Sequence, residues 1–268
     1  MTYEAYEEST YSGSPVELFE FNLADTTYWR YTSADEDKTV SGNVYEAITI
    51  DCPPVESSQD AIRNSLTITM PVDTDLPASY VSGPPTDTIS VTIMRYHEGD
   101  GNVIVTWVGH LINLKFGEHA EIICESLLRS LQRPFPKETY QIACTATLYS
   151  YHCGVDRALY KQTATLSAVD GLTLTSASFG THPDDYFAGG YVEYLSGGLY
   201  TRRFIVSHTG NDIVTDLQLG AIATSSVDAY PGCNHTTSDC HTKFNNIVEY
   251  KGCPFIPLKN PFGSAPIY

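Results

Sequence analysis

Two stretches of this 268-residue chain each carry a pair of cysteines. QIACTATLYSYHCGVD (141–156) holds Cys144 and Cys153, and GCNHTTSDCHTKF (232–244) holds Cys233 and Cys240. Thiolates are soft ligands suited to zinc and to iron–sulfur clusters. Neither pair has the C-x2-C spacing whose short loop wraps one zinc ion. Spacings of nine and seven residues leave room for a larger object, such as a cubane cluster that takes one thiolate at each of four corners. Gly154 and Gly232 flank the pairs, where tight backbone turns are wanted. His152, His235 and His241 lie beside the thiols, so a zinc ion held by four thiolates or by a Cys/His mixture competes with the cluster. Buried thiols with no metal, or disulfides, are the remaining readings, and spacing alone leaves all of them open.

The other cysteines read differently. Cys52 and Cys124 sit in or beside strand patterns and are expected to be small apolar fillers. Cys253, in KGCPFIP, is expected to be an extra buried thiol. Seven is an odd number, so any disulfide scheme within one chain leaves a thiol over. The N-terminus has no basic region followed by an apolar run, and no stretch approaches a membrane-spanning length. These features predict folding in a cytoplasm, where thiols stay reduced.

No enzyme signature accompanies the cysteines. There is no G-x-S-x-G, no H-E-x-x-H and no phosphate-binding loop. His152 next to Cys153 and His241 next to Cys240 resemble a thiol–imidazole couple, but sequence neighbours in extended chain point to opposite sides. Asp184 and Asp185, in THPDDYF, are expected to form a solvated turn rather than an acid/base pair. His182 and His208 are read as ordinary polar residues. The chain is therefore predicted not to be an enzyme.

The elements that must position the thiols are strands. Residues 15–30 read as strand, turn, strand. Two-residue alternation follows at 44–50, 65–72, 89–96 and 103–114, with turns marked by DEDKTVSGN, DTDLPAS and HEGDGN. Residues 119–136 are expected to be a strand running into an irregular segment that Pro134 and Pro136 end. Strand signals resume at 161–169, 171–179, 188–198, 200–210 and 212–219, with hairpin-like glycine pairs at 189–190 and 197–198. The tail, with Phe255, Ile256, Phe262 and Ile267, is expected to lie extended along another part of the protein. The expectation is a mainly β chain of two barrel- or sandwich-like units. Residues 1–136 form the first, and 137–268 form a second that carries the cysteine region and an extended Pro-rich tail.

Charge narrows the partners. The formal net charge is −17, and the first 60 residues hold 13 acidic side chains against Arg30 and Lys38. Such a surface repels phosphate and disfavours nucleic-acid binding. It suits a solubilising coat, a face for a basic partner, or a wall past which DNA slides without adhering.

Taken together, C-x8-CGVD, then GC-x6-C-x3-FNN, then G-x-PFIP-x-KNPF, resembles the tail-hub, minor tail protein L-like family of long-tailed phages and gene transfer agents. The opening YEAYEESTYSGSPVELFEF is similar to the same family. The resemblance implies a homotrimeric ring at the tail tip, with a [4Fe–4S] cluster on Cys144, Cys153, Cys233 and Cys240. It implies as neighbours a distal tail protein, a central tip or fibre protein and a tape measure protein, with DNA passing through without sequence-specific binding. It implies a virion location after assembly in the host cytoplasm. Two alternatives stand beside it: a host-surface carbohydrate-binding β module, to which the 19 tyrosines lend stacking platforms, and a zinc-stapled structural protein.

Overall fold

A computed structural model describes residues 3–9, 14–55, 65–81, 83–98, 102–132, 139–196 and 199–257. The chain divides into two compact units, Met1–Arg133 and Pro134–Tyr268, and each is described by itself. Both are mainly β.

The first unit opens with α1 (Tyr3–Glu7) and the hairpin β1 (Pro15–Leu23) and β2 (Thr27–Thr32). It continues through β3 (Lys38–Val40), β4 (Asn43–Ala47), β5 (Ser65–Met70) and α2 (Asp75–Val81). It closes with β6 (Ile89–His97), β7 (Ile104–Phe116) and β8 (Ala120–Ser126). Eight strands make one sheet in the order β3-β4-β2-β1-β6-β7-β8-β5, and only β2 and β4 run parallel. Alternation does the sorting. In β5, Leu66, Ile68 and Met70 are buried, while Ser65 and Thr67 face out. Phe19, Phe21, Tyr31, Leu76, Ile89 and Ile122 are buried too, and the Tyr31 hydroxyl accepts the Leu76 amide (3.3 Å). Cys124 of β8 is wholly buried, as expected of a filler, whereas Cys52 is only half-buried. After β8 the chain tightens into a 3-10 turn at Leu127–Gln132. DEDKTVSGN, expected to be a turn, also contains β3, and DTDLPAS contains the start of α2.

The second unit builds its sheet from β9 (Gln162–Thr165), β10 (Ala168–Asp170), β11 (Thr173–Thr175), β12 (Tyr191–Ser196), β13 (Leu199–Thr209), β14 (Asp212–Thr215) and β15 (Ser226–Tyr230). The order is β10-β11-β14-β13-β12-β15-β9, with every pairing antiparallel. Phe179, Phe187, Leu166, Val192, Ile205 and Ile213 make its core. Burying each such side chain stabilises the fold by about 1.5–3 kcal/mol. His208 belongs to this core rather than to the surface. It is fully buried with its ring edge-on to Phe187 at 5.0 Å, and His182 stacks on Tyr186 at 4.2 Å.

One pairing in this sheet decides where the thiols lie. β9 lies against β15 with Gln162 opposite Ala229. The first cysteine segment leads into β9, and the second leaves β15. Antiparallel pairing sets the start of one strand beside the end of the other. Both cysteine segments are thereby delivered to the same end of one sheet edge.

Candidate functional site: a pocket lined by four thiols

Cys144, Cys153, Cys233 and Cys240 line one pocket in the second unit, together with Ala146, Leu148, Val155, His235, Phe244, Asn246 and Tyr250 among others. All seven cysteines of the chain are free thiols. Cys253 is not among the lining residues. Its amide donates to the Gln141 carbonyl (2.8 Å), which straps residues 251–253 beside the first cysteine segment.

Local turns aim the thiols. The Cys153 amide donates to the Ser150 carbonyl (3.0 Å), closing a turn that Gly154 leaves in the left-handed region at φ +72°. Asp156 caps the following 3-10 turn at Arg157–Tyr160 by accepting from the Ala158 amide (2.9 Å). On the other segment, T-T-S-D places Thr236 as the N-cap of α3 (Thr237–Thr242), its hydroxyl accepting from the Asp239 amide (3.2 Å). That helix presents Cys240 in its last turn.

Gly232 is where the second segment meets the body. A Cβ there would lie 2.0 Å from the Ala188 carbonyl oxygen and 2.4 Å from the Gly190 nitrogen. The glycine pair 189–190 is therefore not a hairpin tip. It is a turn before β12 against which the backbone of Pro231 and Gly232 packs directly.

An aromatic floor joins the pocket to the sheet. The Tyr149 hydroxyl donates to the Pro231 carbonyl (2.8 Å), and its ring meets Tyr191, Tyr230 and Phe244 edge-on at 6.2–6.3 Å. Tyr191 and Tyr230 stack at 4.6 Å. Tyr160 donates to the Phe244 carbonyl (3.0 Å) and packs on its ring. The Lys243 ammonium, whose pKa burial pushes down, donates to the Tyr186 carbonyl (2.5 Å). Glu193 is 6 % exposed and is held by Arg202 (2.6 Å), by the Tyr230 hydroxyl (3.3 Å) and by Arg157 (3.8 Å) from the turn after Cys153.

The electrostatics favour the protonated forms of Cys233 and Cys240. Burial first, then the neighbouring thiols, raises the Cys240 pKa. Burial also raises that of Cys233, opposed by the His235 amide that donates to its sulfur (3.3 Å). The Lys251 amide donates to the Cys144 sulfur (3.4 Å). His152 and His241 are exposed, whereas His235 lines the pocket with its Nδ1 on the Cys144 carbonyl (3.1 Å). Among the described residues, no three His, Cys, Asp or Glu side chains are grouped closely enough to hold a single metal ion. Of the three histidines read beside the thiols only His235 lines the pocket, while Asn246, Tyr149 and Tyr250 were missed as its builders. Their work is done through backbone partners, which leave no spacing signature.

A family model described as baseplate hub protein, N-terminal attachment domain, matches residues 12–156, more than half of the chain. The chain belongs to this baseplate hub family. It is a phage tail and baseplate structural protein. A second model, phage conserved hypothetical protein BR0599, matches residues 185–260. The first match thus includes Cys144 and Cys153, and the second includes Cys233 and Cys240. A solved structure described as the virion of a native gene transfer agent particle contains a chain of the same fold. Its TM-score is 0.81 at 21 % identity, covering 98 % of this chain and 95 % of that one. An uncharacterized protein of Xylella fastidiosa (strain 9a5c) is 28 % identical over 163 residues. The match covers 56 % of this chain but 34 % of that protein, so the chain spans about a third of that curated relative. Among the described residues, no helix is long and apolar enough to cross a membrane.

Proposed function

We propose that this chain is a tail-tip hub whose cysteine pocket holds a [4Fe–4S] cluster on Cys144, Cys153, Cys233 and Cys240. The observation that carries the reading is the convergence of all four thiols, from segments at residues 144–153 and 233–240, on one pocket. The donor set is suitable. It is four sulfurs in walls of Ala146, Leu148, Val155 and Phe244, and an apolar shell with amide hydrogen bonds to sulfur is the environment that such clusters use. A single tetrahedral zinc would draw its four sulfurs to about 3.8 Å of one another, given zinc–sulfur bonds of about 2.3 Å. Zinc on the same four thiols is the competing occupant, and metal analysis separates the two.

The role of the cluster is structural. Bound thiolates cross-link the segment entering β9 to the segment leaving β15, and the binding free energy becomes folding free energy. The hub reading adds a homotrimer that links the distal tail ring to the central tip protein, beside the tape measure protein, with an acidic wall facing passing DNA. It also places assembly in the bacterial cytoplasm, where reduced thiols and cluster-loading machinery coexist. Anaerobic purification tests it. A hub is a brown oligomer absorbing near about 400 nm. A colourless single chain that binds glycan supports the carbohydrate module instead.

A further inference from the structure

We propose that Asn246 and His235 are positioning residues that assemble the four-thiol pocket before anything is bound; the inference rests on the reading of the four thiols as one ligand set. Asn246 touches both cysteine pairs. Its amide donates to the Cys240 carbonyl (2.8 Å), its carbonyl accepts from the Cys240 thiol (3.1 Å), and its side-chain Nδ2 donates to the Cys153 carbonyl (2.5 Å). His235 does the same at the other corner. Its carbonyl accepts from the Cys144 amide (2.9 Å), its ring Nδ1 reaches the Cys144 carbonyl (3.1 Å), and its amide donates to the Cys233 sulfur (3.3 Å). Asn246 thus ties Cys153 to Cys240, and His235 ties Cys144 to Cys233. The Tyr250 hydroxyl lies 2.7 Å from the Ile142 carbonyl and 3.1 Å from that of His235, bracing the second clamp.

The chemistry of the Asn246 contact is selective. The Cys153 carbonyl is an acceptor and demands a donor. An isosteric aspartate has none and would set a carboxylate against the carbonyl oxygen. The backbone contacts of residue 246 survive any such change, so the side chain alone decides whether the first loop is gripped. Loop closure between the pairs is already supplied by β9–β15 pairing. The bound group therefore locks an existing pocket and does not create it.

The test uses the full chain, stripped of metal anaerobically with chelator, then treated with a short bismaleimide. Cross-linked peptides are mapped by mass spectrometry, with the urea-unfolded chain as baseline. Stripped wild type should give Cys153–Cys240 and Cys144–Cys233 cross-links well above that baseline. N246A and N246D should each cut the Cys153–Cys240 product about fivefold, the population change worth one hydrogen bond, while the Cys144–Cys233 product persists. H235A removes only the ring contact to the Cys144 carbonyl and keeps the two main-chain ties of residue 235, so it should lower the Cys144–Cys233 product by less than N246A lowers the other and leave Cys153–Cys240 unchanged. Wild-type cross-linking no better than in urea overturns the proposal, as does an N246D chain that behaves as wild type. Loss of both products together in N246D also overturns it, because Asn246 would then support the fold and not the pair. Iron analysis fails separately. A pre-assembled pocket without iron removes the cluster and leaves the clamps, and a loaded chain without the cross-links does the opposite.

Discussion

Gly232→Ala is the substitution whose cost can be worked out most directly from the structure. The new methyl carbon would stand 2.0 Å from the Ala188 oxygen, 2.3 Å from the Gly189 carbonyl carbon and 2.4 Å from the Gly190 nitrogen. Ordinary contact begins at 3.4 Å, so the two backbones must part by about 1.4 Å. All three obstacles are main chain, and no side-chain rotation relieves them. The 187–190 turn is pinned by Gly189 N–H to the Ile205 carbonyl (2.9 Å), by Ile205 N–H to the Gly190 carbonyl (2.9 Å) and by Gly190 N–H to the Phe187 carbonyl (3.0 Å). Parting the segments sacrifices at least one of these, worth about 1 kcal/mol, on top of an overpacking cost of about 1–3 kcal/mol. We expect a total near 3 kcal/mol, or a fall of about 10 °C in the Tm of the second unit. Thermal and urea unfolding followed by circular dichroism measure it. Gly190→Ala meets the same interface from the other side, 2.0 Å from the Tyr230 oxygen, so the double variant should cost clearly less than the sum of the singles. A G232A chain within about 0.5 kcal/mol of wild type, the range of an inert surface change, would refute the close backbone packing that sets Cys233.

Three further outcomes rest on the same geometry. Glu193→Gln removes the charge that Arg202 and Arg157 share, and because both arginines are partly exposed the loss in urea unfolding should be about 1–2 kcal/mol, below the range for a fully buried pair. Burial raises the Tyr149 phenol well above its ordinary value of 10 and that of Tyr230 to about 12. The folded chain therefore keeps protons that the unfolded chain releases. Stability should be whole below about pH 10 and fall as pH rises toward 12, with tyrosinate absorbance appearing together with unfolding. Cys124 is wholly buried and its thiol is pushed up to about 12, so iodoacetamide at neutral pH should leave it unlabelled in the native chain and label it in urea.

Long strands were legible because their side chains alternate between core and solvent. The runs expected at 65–72, 89–96, 103–114 and 200–210 correspond to β5, β6, β7 and β13. Short elements were not. β15, in SSVDAY, has five residues and ends against Pro231 and Gly232, so its alternation is too brief to separate from a turn. Yet β15 is the strand that brings the second cysteine pair home. α3 was also hidden, although T-T-S-D at 236–239 carries the capping signal that could have revealed it. His208 read as an ordinary polar residue because one imidazole in a strand gives no sign of which face it occupies, and the register of β13 turns it into the core. Phe255 was expected to be covered and is 95 % exposed. Phe262 and Ile267 lie outside the described residues. The four thiols were legible as two pairs, but their meeting depends on the β9–β15 pairing across the sheet, which no local pattern encodes.

The most direct test of the central claim is an iron and acid-labile sulfide count on anaerobically purified chain, for wild type and for Cys144→Ser, Cys153→Ser, Cys233→Ser and Cys240→Ser, with Cys253→Ser as the control outside the pocket. The account predicts about four irons and four sulfides per wild-type chain, the same for the Cys253 variant, and a marked loss in each of the other four. Zinc in place of iron, or iron that depends on Cys253 and not on the four lining thiols, would contradict it.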